Sequence, residues 1–181
     1  MTGFDWTPGI GDPTLGGWIT VLLYVLASAS SWGTARQINA EEERRVWNSI
    51  AGLFVLLGIN KQLDLQSAAT EAGRVILGAL GWYQQRQSLQ LGFIILMALG
   101  CLVAAVALLR WARSAPVSTW LALIGVISVI GFVLIRAASF HHIDRLIGAT
   151  FLGLRWNWIL EMGGISMVLL SSLWRRRTAH E

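Results

Sequence analysis

Three short stretches of this chain carry side chains capable of chemistry, and each lies beside a long apolar run. The first is Asn60-Lys61-Gln62-Leu63-Asp64-Leu65-Gln66, five strongly polar residues in seven. The second runs from Arg136 through Ser139, His141 and His142 to Asp144 and Arg145, and the third is Arg155-Trp156-Asn157 with Glu161 four residues after the asparagine. An ionisable group inside a bilayer costs about 2.5–3.5 kcal/mol on insertion scales, so such groups are usually paired and often functional. Glu161 is the sharpest of them. It lies about a turn and a half inside its helix, with Asn157 at i−4 on the same face. A carboxylate at that depth needs a cationic partner or a proton, and Arg136, Lys61 and His142 are the candidate partners.

These residues support several kinds of site. The candidate ligand-binding set is Asn60, Lys61, Asp64, Arg136, Ser139, His142, Asp144, Asn157 and Glu161. Glu161, Asp64 and His142 are the candidates for acid–base work, and His141, His142 and Asp144 are the candidate metal ligands. Adjacent histidines on a helix point about 100° apart, so His141 and His142 would not share one ion while both stay helical. Further ligands would have to come from Asp64 or Glu161. The sequence has no HExxH, no paired-cysteine ligand motif, no phosphate-cradling glycine loop and no G-x-S-x-G elbow. Ser139, His142 and Asp144 are triad residue types, but three residues on one helix cannot chain in triad geometry. Structural readings stand beside these: Glu161 as an ion pair fixing helix packing, and Lys61 snorkelling to the interface with Asp64 as a local partner.

The elements that position these groups are apolar helices. Crossing about 30 Å of hydrocarbon takes roughly 20 residues. Suitable runs extend from about Trp18 to Ala35, Leu91 to Leu109, Val117 to Arg136 and Trp156 to Trp174. A further run, Val46 to Ile59, reaches the required length only if its helix continues through Asn60, Lys61 and Gln62 to about Leu65. The expected fold is therefore an all-α polytopic transmembrane bundle in a single domain, 1–181, with five spans, or four if the second falls short. Residues 67–90 place Ala72, Val75, Ile76, Ala79, Trp82 and Tyr83 on one helical stripe. That pattern predicts an interfacial amphipathic helix, or an early, tilted start to the third span.

Composition agrees with a bilayer as solvent. Of 181 residues 55% are hydrophobic and 13% charged, with a mean hydropathy of +0.58; a soluble domain would carry about a quarter charged residues. Ten tryptophans against two tyrosines suit headgroup-level anchoring, and Trp18, Trp32, Trp47, Trp111, Trp120, Trp156, Trp158 and Trp174 all lie near the ends of apolar runs. The basic residues lie beside apolar segments rather than in one stripe, which argues against a nucleic-acid partner. Cys101 is the only cysteine, so no intrachain disulfide forms. The N-terminal segment has no basic residue, as expected of an uncleaved first span rather than a signal peptide.

Orientation follows from the short loops. One side holds Arg36, Arg44, Arg45, Arg110, Arg113, Arg175, Arg176 and Arg177; the other holds Lys61, Arg74, Arg86, Arg136, Arg145 and Arg155. The excess, with the terminal WRRR anchor, puts the N-terminus outside and the C-terminus in the cytoplasm. The run Glu41-Glu42-Glu43-Arg44-Arg45 then reads as a solvated cytoplasmic cap to the second span, and the three polar stretches converge on the extracytoplasmic side. The strings GINKQLDLQ, RAASFHHID and NWILE resemble those of small bacterial multi-helix integral membrane proteins, over about residues 46 to 165. The resemblance implies that the three strings form one site in a bacterial inner membrane, and implies no activity or ligand.

Two functional expectations follow. One is an accessory subunit, or a binder of an amphiphile such as a lipid or quinone, with Arg136, Arg145, Arg155 and Lys61 holding an anionic head. The other is a small membrane-embedded, metal-dependent enzyme acting on a lipid-linked substrate through His141, His142, Asp64, Asp144 or Glu161. Proton or ion transfer through Glu161 and Asp64 is a third.

Overall fold

The computed structural model describes residues 12–63, 72–73, 75, 86–138, 150–151 and 154–178. Five helices make up this part of the chain: α1 (Leu15–Ala35), α2 (Glu41–Leu63), α3 (Arg86–Trp111), α4 (Val117–Ala138) and α5 (Trp156–Thr178). A minimal antiparallel ladder, β1 (Thr150–Phe151) with β2 (Leu154–Arg155), leads into α5. Among the described residues it is the one strand pairing, and two residues a side are too few to leave a period-two pattern in the sequence.

Local chemistry sets the helix ends. Thr14 caps α1 by accepting from the Gly17 N–H at 3.1 Å, as an N-cap hydroxyl does for an otherwise orphaned donor. Asp12 folds back to accept from the Thr14 amide and hydroxyl, and any Cβ at Gly17 would collide with it. Three glutamates in the first turn of α2 and three arginines in the last turn of α5 complement the helix dipoles. Pro116 precedes α4, and its carbonyl accepts from Thr119 and Trp120. The α2 helix does continue through Asn60, Lys61 and Gln62, ending at Leu63. The α3 helix starts at Arg86, so residues 86–90 belong to it rather than to a separate interfacial helix; most of the rest of 67–90 lies outside the described residues.

Helices α1 and α2, α1 and α5, and α4 and α5 pack most closely against one another, while α3 makes its main, sparser contacts with α2 and α4. Glycine makes the α4–α5 crossing close: a Cβ on Gly125 would lie 2.7 Å from the Gly164 carbonyl, and one on Gly164 would lie 2.9 Å from the Gly125 carbonyl. Gly163, its neighbour, faces open space. The core is formed by Tyr24, Ala27, Trp47, Ile50, Phe54, Val126, Val129, Ile165 and Val168. Trp47 is fully buried, so it belongs to the core and not to an interfacial belt; Trp18, Trp32, Trp120 and Trp174 remain exposed.

The bundle is apolar on its outside as well as in its core. Large apolar side chains cover the outside of all five helices, with Leu56, Leu96, Val103 and Leu170 each 66–68% exposed. Hydroxyls and carboxylates are inside: Thr20, Ser28, Ser31, Thr34, Thr119, Ser172, Glu43 and Glu161 are buried. Among the described residues two helices, Leu15–Ala35 and Val117–Leu134, are long and apolar enough to cross a membrane, and α3 contributes a shorter apolar run, Ala98–Trp111.

Candidate functional site

Two charged clusters sit at opposite ends of the bundle, and both join α2 to α5. At the first, Lys61 is in the last turn of α2 and Glu161 in the second turn of α5. The Lys61 Nζ donates to Glu161 Oε2 at 3.0 Å, with the side chains only 12% and 5% exposed. Tyr24, on the core face of α1, donates its Oη–H to Glu161 Oε1 at 3.2 Å. Its ring meets Phe54 edge-on at 5.6 Å, and Gly58 lets α2 approach, since a Cβ there would lie 3.2 Å from Tyr24 Cβ. The Asp12 carboxylate, 31% exposed, lies 3.9 Å from Lys61 Nζ.

Lys61 therefore does not snorkel: it turns inward, because a buried carboxylate on α5 is a stronger attraction than the interface. Among the described residues it sits between two carboxylates, so this end of the bundle is not a free positive charge. It brings together an ammonium, a phenol and a carboxylate from three helices.

The other sequence candidates are placed less closely. Asn60 is half-buried on α2 beside Lys61. Arg136 falls in the last turn of α4, and Asn157 in the first turn of α5, four residues before Glu161. Asp64, Ser139, His141, His142 and Asp144 lie outside the described residues. Among the described residues no group of three or more His, Cys, Asp or Glu could hold a metal ion.

The second cluster was not legible as a site. Glu43 is not part of a solvated cap. It is buried, and its Oε1 accepts from Arg175 Nε at 2.8 Å, Thr119 Oγ1 at 2.6 Å and Trp47 Nε1 at 3.3 Å, while Oε2 accepts from Arg175 Nη2 at 3.0 Å. One carboxylate thus ties α2, α4 and α5 together. Glu41 stays exposed, pairing with Arg44 and Arg45. Burial pushes the Glu43 carboxyl up, but hydrogen bonds from Arg175 and Thr119, the Arg175 charge and the Trp47 N–H outweigh it and hold the group below its ordinary value. The bond to Glu43 raises Arg175 in turn, against the effect of its own burial. Next to it, Arg176 lies over Gly33 and donates to Thr34 Oγ1 at 3.1 Å and to the Ser30 carbonyl at 2.5 Å.

Tyr24 and Asp12 joined the first cluster without being singled out in the sequence. A signal for Tyr24 existed. Thr20, Tyr24, Ser28, Ser31 and Thr34 recur at intervals of four, four, three and three, one helical face in an otherwise apolar segment. That face is the buried one, and it binds its neighbours: Ser28 donates to the Ala51 carbonyl at 2.9 Å, and the Ser30 and Ser172 hydroxyls beside it are 2.6 Å apart. Comparison with protein families, with curated proteins and with solved structures finds no match.

Proposed function

We propose that the chain is an integral membrane protein of five spans in a bacterial inner membrane, N-terminus outside and C-terminus in the cytoplasm. It binds the polar head of an amphiphile, a lipid or a quinone, at the Lys61–Glu161–Tyr24 cluster, alone or as an accessory subunit of a larger membrane assembly. The observation that carries this is the buried Lys61–Glu161 pair, bonded to Tyr24, inside a bundle whose outer surface is leucine, valine and tryptophan. Ionisable groups so placed are costly unless they act together. The exposed tryptophans suit a headgroup belt, and the inward hydroxyls suit helix association in lipid, where side-chain hydrogen bonds and glycine contacts replace hydrophobic burial.

The chemistry of the cluster narrows the head. An anionic headgroup would have to displace Glu161 or Asp12 from Lys61 and would meet two carboxylates. A quinone carbonyl, or another neutral acceptor, can take the remaining Lys61 proton while its apolar tail follows the exposed helix faces. Gentle purification in detergent, followed by solvent extraction and mass spectrometry, tests the reading. A neutral amphiphile should co-purify at near-stoichiometric amounts with the wild type and be depleted in Lys61→Met and Tyr24→Phe. Equal retention by these variants, or none by the wild type, overturns it.

A further inference from the structure

The two charged clusters set a scale along α2. Glu43 and Lys61 lie on that helix about five turns apart, or roughly 27 Å at 1.5 Å per residue, close to the roughly 30 Å of a hydrocarbon core. Gly52 is midway between them. The helix turns Val46, Ile50, Phe54 and Gly58 inward. At about 100° per residue Gly52 points almost straight away from that buried face, and Arg45, Asn48, Ser49, Leu56 and Ile59 lie within about 60° of it. All six are exposed, Leu56 at 66% and Ile59 at 44%, so no described element covers this side of α2.

Three features of this face have no use within a single copy. A Cβ on Gly52 would meet nothing within 4 Å, whereas one on Gly58, Gly125 or Gly164 would press on a neighbouring helix. A glycine in a helix interior is less favourable than alanine, and the internal packing gives no reason for this one. The Asn48 amide and the Ser49 hydroxyl make no hydrogen bond among the described residues. Asn48 lies about 7.5 Å past Glu43 along the axis, inside the span, where a polar group without a partner is costly. Finally, Glu41 and Arg45 are paired at the outer edge of the same face with both side chains half exposed, so the patch carries both signs of charge.

We propose that this face of α2 is the contact between two copies of the chain, parallel in one membrane and related by a two-fold axis along the bilayer normal. The proposal rests on the membrane reading above. Gly52 sits at the crossing, where the missing side chain lets two backbones approach, and interhelical hydrogen bonds join spans that hydrophobic burial cannot. A carboxamide both donates and accepts, so Asn48 of one copy pairs with Asn48 or Ser49 of the other. Glu41 of each copy meets Arg45 of the other, and Leu56 and Ile59 pack beyond the crossing. A second copy is the occupant because a two-fold contact brings a patch against itself, and this patch complements itself in hydrogen bonding and in charge. Lipid tails offer Asn48 no partner. The contact leaves the Lys61 cluster whole within each copy.

The test measures mass and location together on the full chain. Light scattering in mild detergent should give a protein mass of two chains of 19.9 kDa each. In phosphatidylcholine vesicles, Leu56→Cys in a Cys101→Ser background should cross-link to a dimer under mild oxidation. Val103→Cys, equally exposed but on α3, should not. Gly52→Leu and Asn48→Leu should each weaken the dimer about tenfold or more, while Gly163→Leu, at another glycine open to space, should leave it intact. Asn48→Leu makes the face more apolar, so indiscriminate hydrophobic association would strengthen where the proposed contact weakens. Unchanged circular dichroism shows that each variant keeps its fold, and the cross-link is read on a protein that keeps both Gly52 and Asn48. A monomeric mass overturns the proposal, as does a dimer that cross-links equally at both cysteines or that tolerates Gly52→Leu and Asn48→Leu. Flotation of the vesicles separates the two levels: protein that does not float refutes the membrane reading, whereas floating monomer refutes only the α2 contact.

Discussion

Replacing Glu161 with glutamine tests how the Lys61 end of the bundle is held. Gln is nearly isosteric, so packing around Ile165 and Tyr24 is preserved and only the charge is removed. At an effective dielectric of about 20, the attraction between Lys61 and Glu161 across 3.0 Å is about 5.5 kcal/mol. Asp12, at 3.9 Å, supplies about 4.3 kcal/mol by the same rule before screening. Asp12 is the more exposed of the two carboxylates, so it compensates only in part. Breaking a buried pair by removing one partner costs about 3–5 kcal/mol; with Asp12 remaining, Glu161→Gln belongs at the lower end, about 3 kcal/mol. Tyr24 can still donate to the amide oxygen. Lys61→Met leaves Glu161 with Tyr24 as its one side-chain partner among the described residues and should cost more than Glu161→Gln. For a chain of this length, about 3 kcal/mol corresponds to a fall of roughly 6–12 °C in melting temperature. Combining Glu161→Gln with Lys61→Met removes both charges and should recover at least about 2 kcal/mol relative to the sum of the single variants. Thermal melts in one detergent, monitored by circular dichroism, measure all four proteins. Strictly additive losses, or a Glu161→Gln variant that melts with the wild type, would falsify the claim that this pair is a coupled buried unit.

The Glu43 clamp makes stability depend on pH in a definite direction. The carboxyl is held below its ordinary value in the folded state, so the clamp contributes fully above about pH 4.3, where an unfolded glutamate titrates. That contribution is lost as pH falls through the depressed folded value. The melting-temperature gap between wild type and Glu43→Gln should be constant near neutrality and shrink below about pH 4. The α4–α5 crossing predicts opposite outcomes for neighbouring positions. Gly125→Ala puts a Cβ against the Gly164 carbonyl and should cost about 1–3 kcal/mol, whereas Gly163→Ala, which meets nothing within 4 Å, should be neutral or slightly stabilising in the same melts. Topology is tested by reporter fusions after Ala115 and at Glu181, both of which should report cytoplasm; opposite sides would refute the five-span arrangement.

The sequence alone determined the helical class and much of the helix layout, because helix length and apolar composition are local properties. The runs beginning near Trp18, Val117 and Trp156 appear as α1, α4 and α5 within a few residues, and α2 continues through Asn60, Lys61 and Gln62. Glu161 stood out for the same reason: a carboxylate inside an apolar segment is conspicuous wherever it is read. Partner choice is not local. Lys61 and Asp64 are three residues apart, yet Lys61 reaches a carboxylate 100 positions away because α2 and α5 bring their polar turns to the same end. Glu43 shows the same limit more sharply. Within Glu41-Glu42-Glu43-Arg44-Arg45 nothing separates one glutamate from the next, and only helical phase decides. A rotation of about 100° per residue leaves Glu41 and Glu42 exposed and turns Glu43 to the face it shares with Val46, Trp47 and Ile50, where Arg175 and Thr119 wait on two other helices.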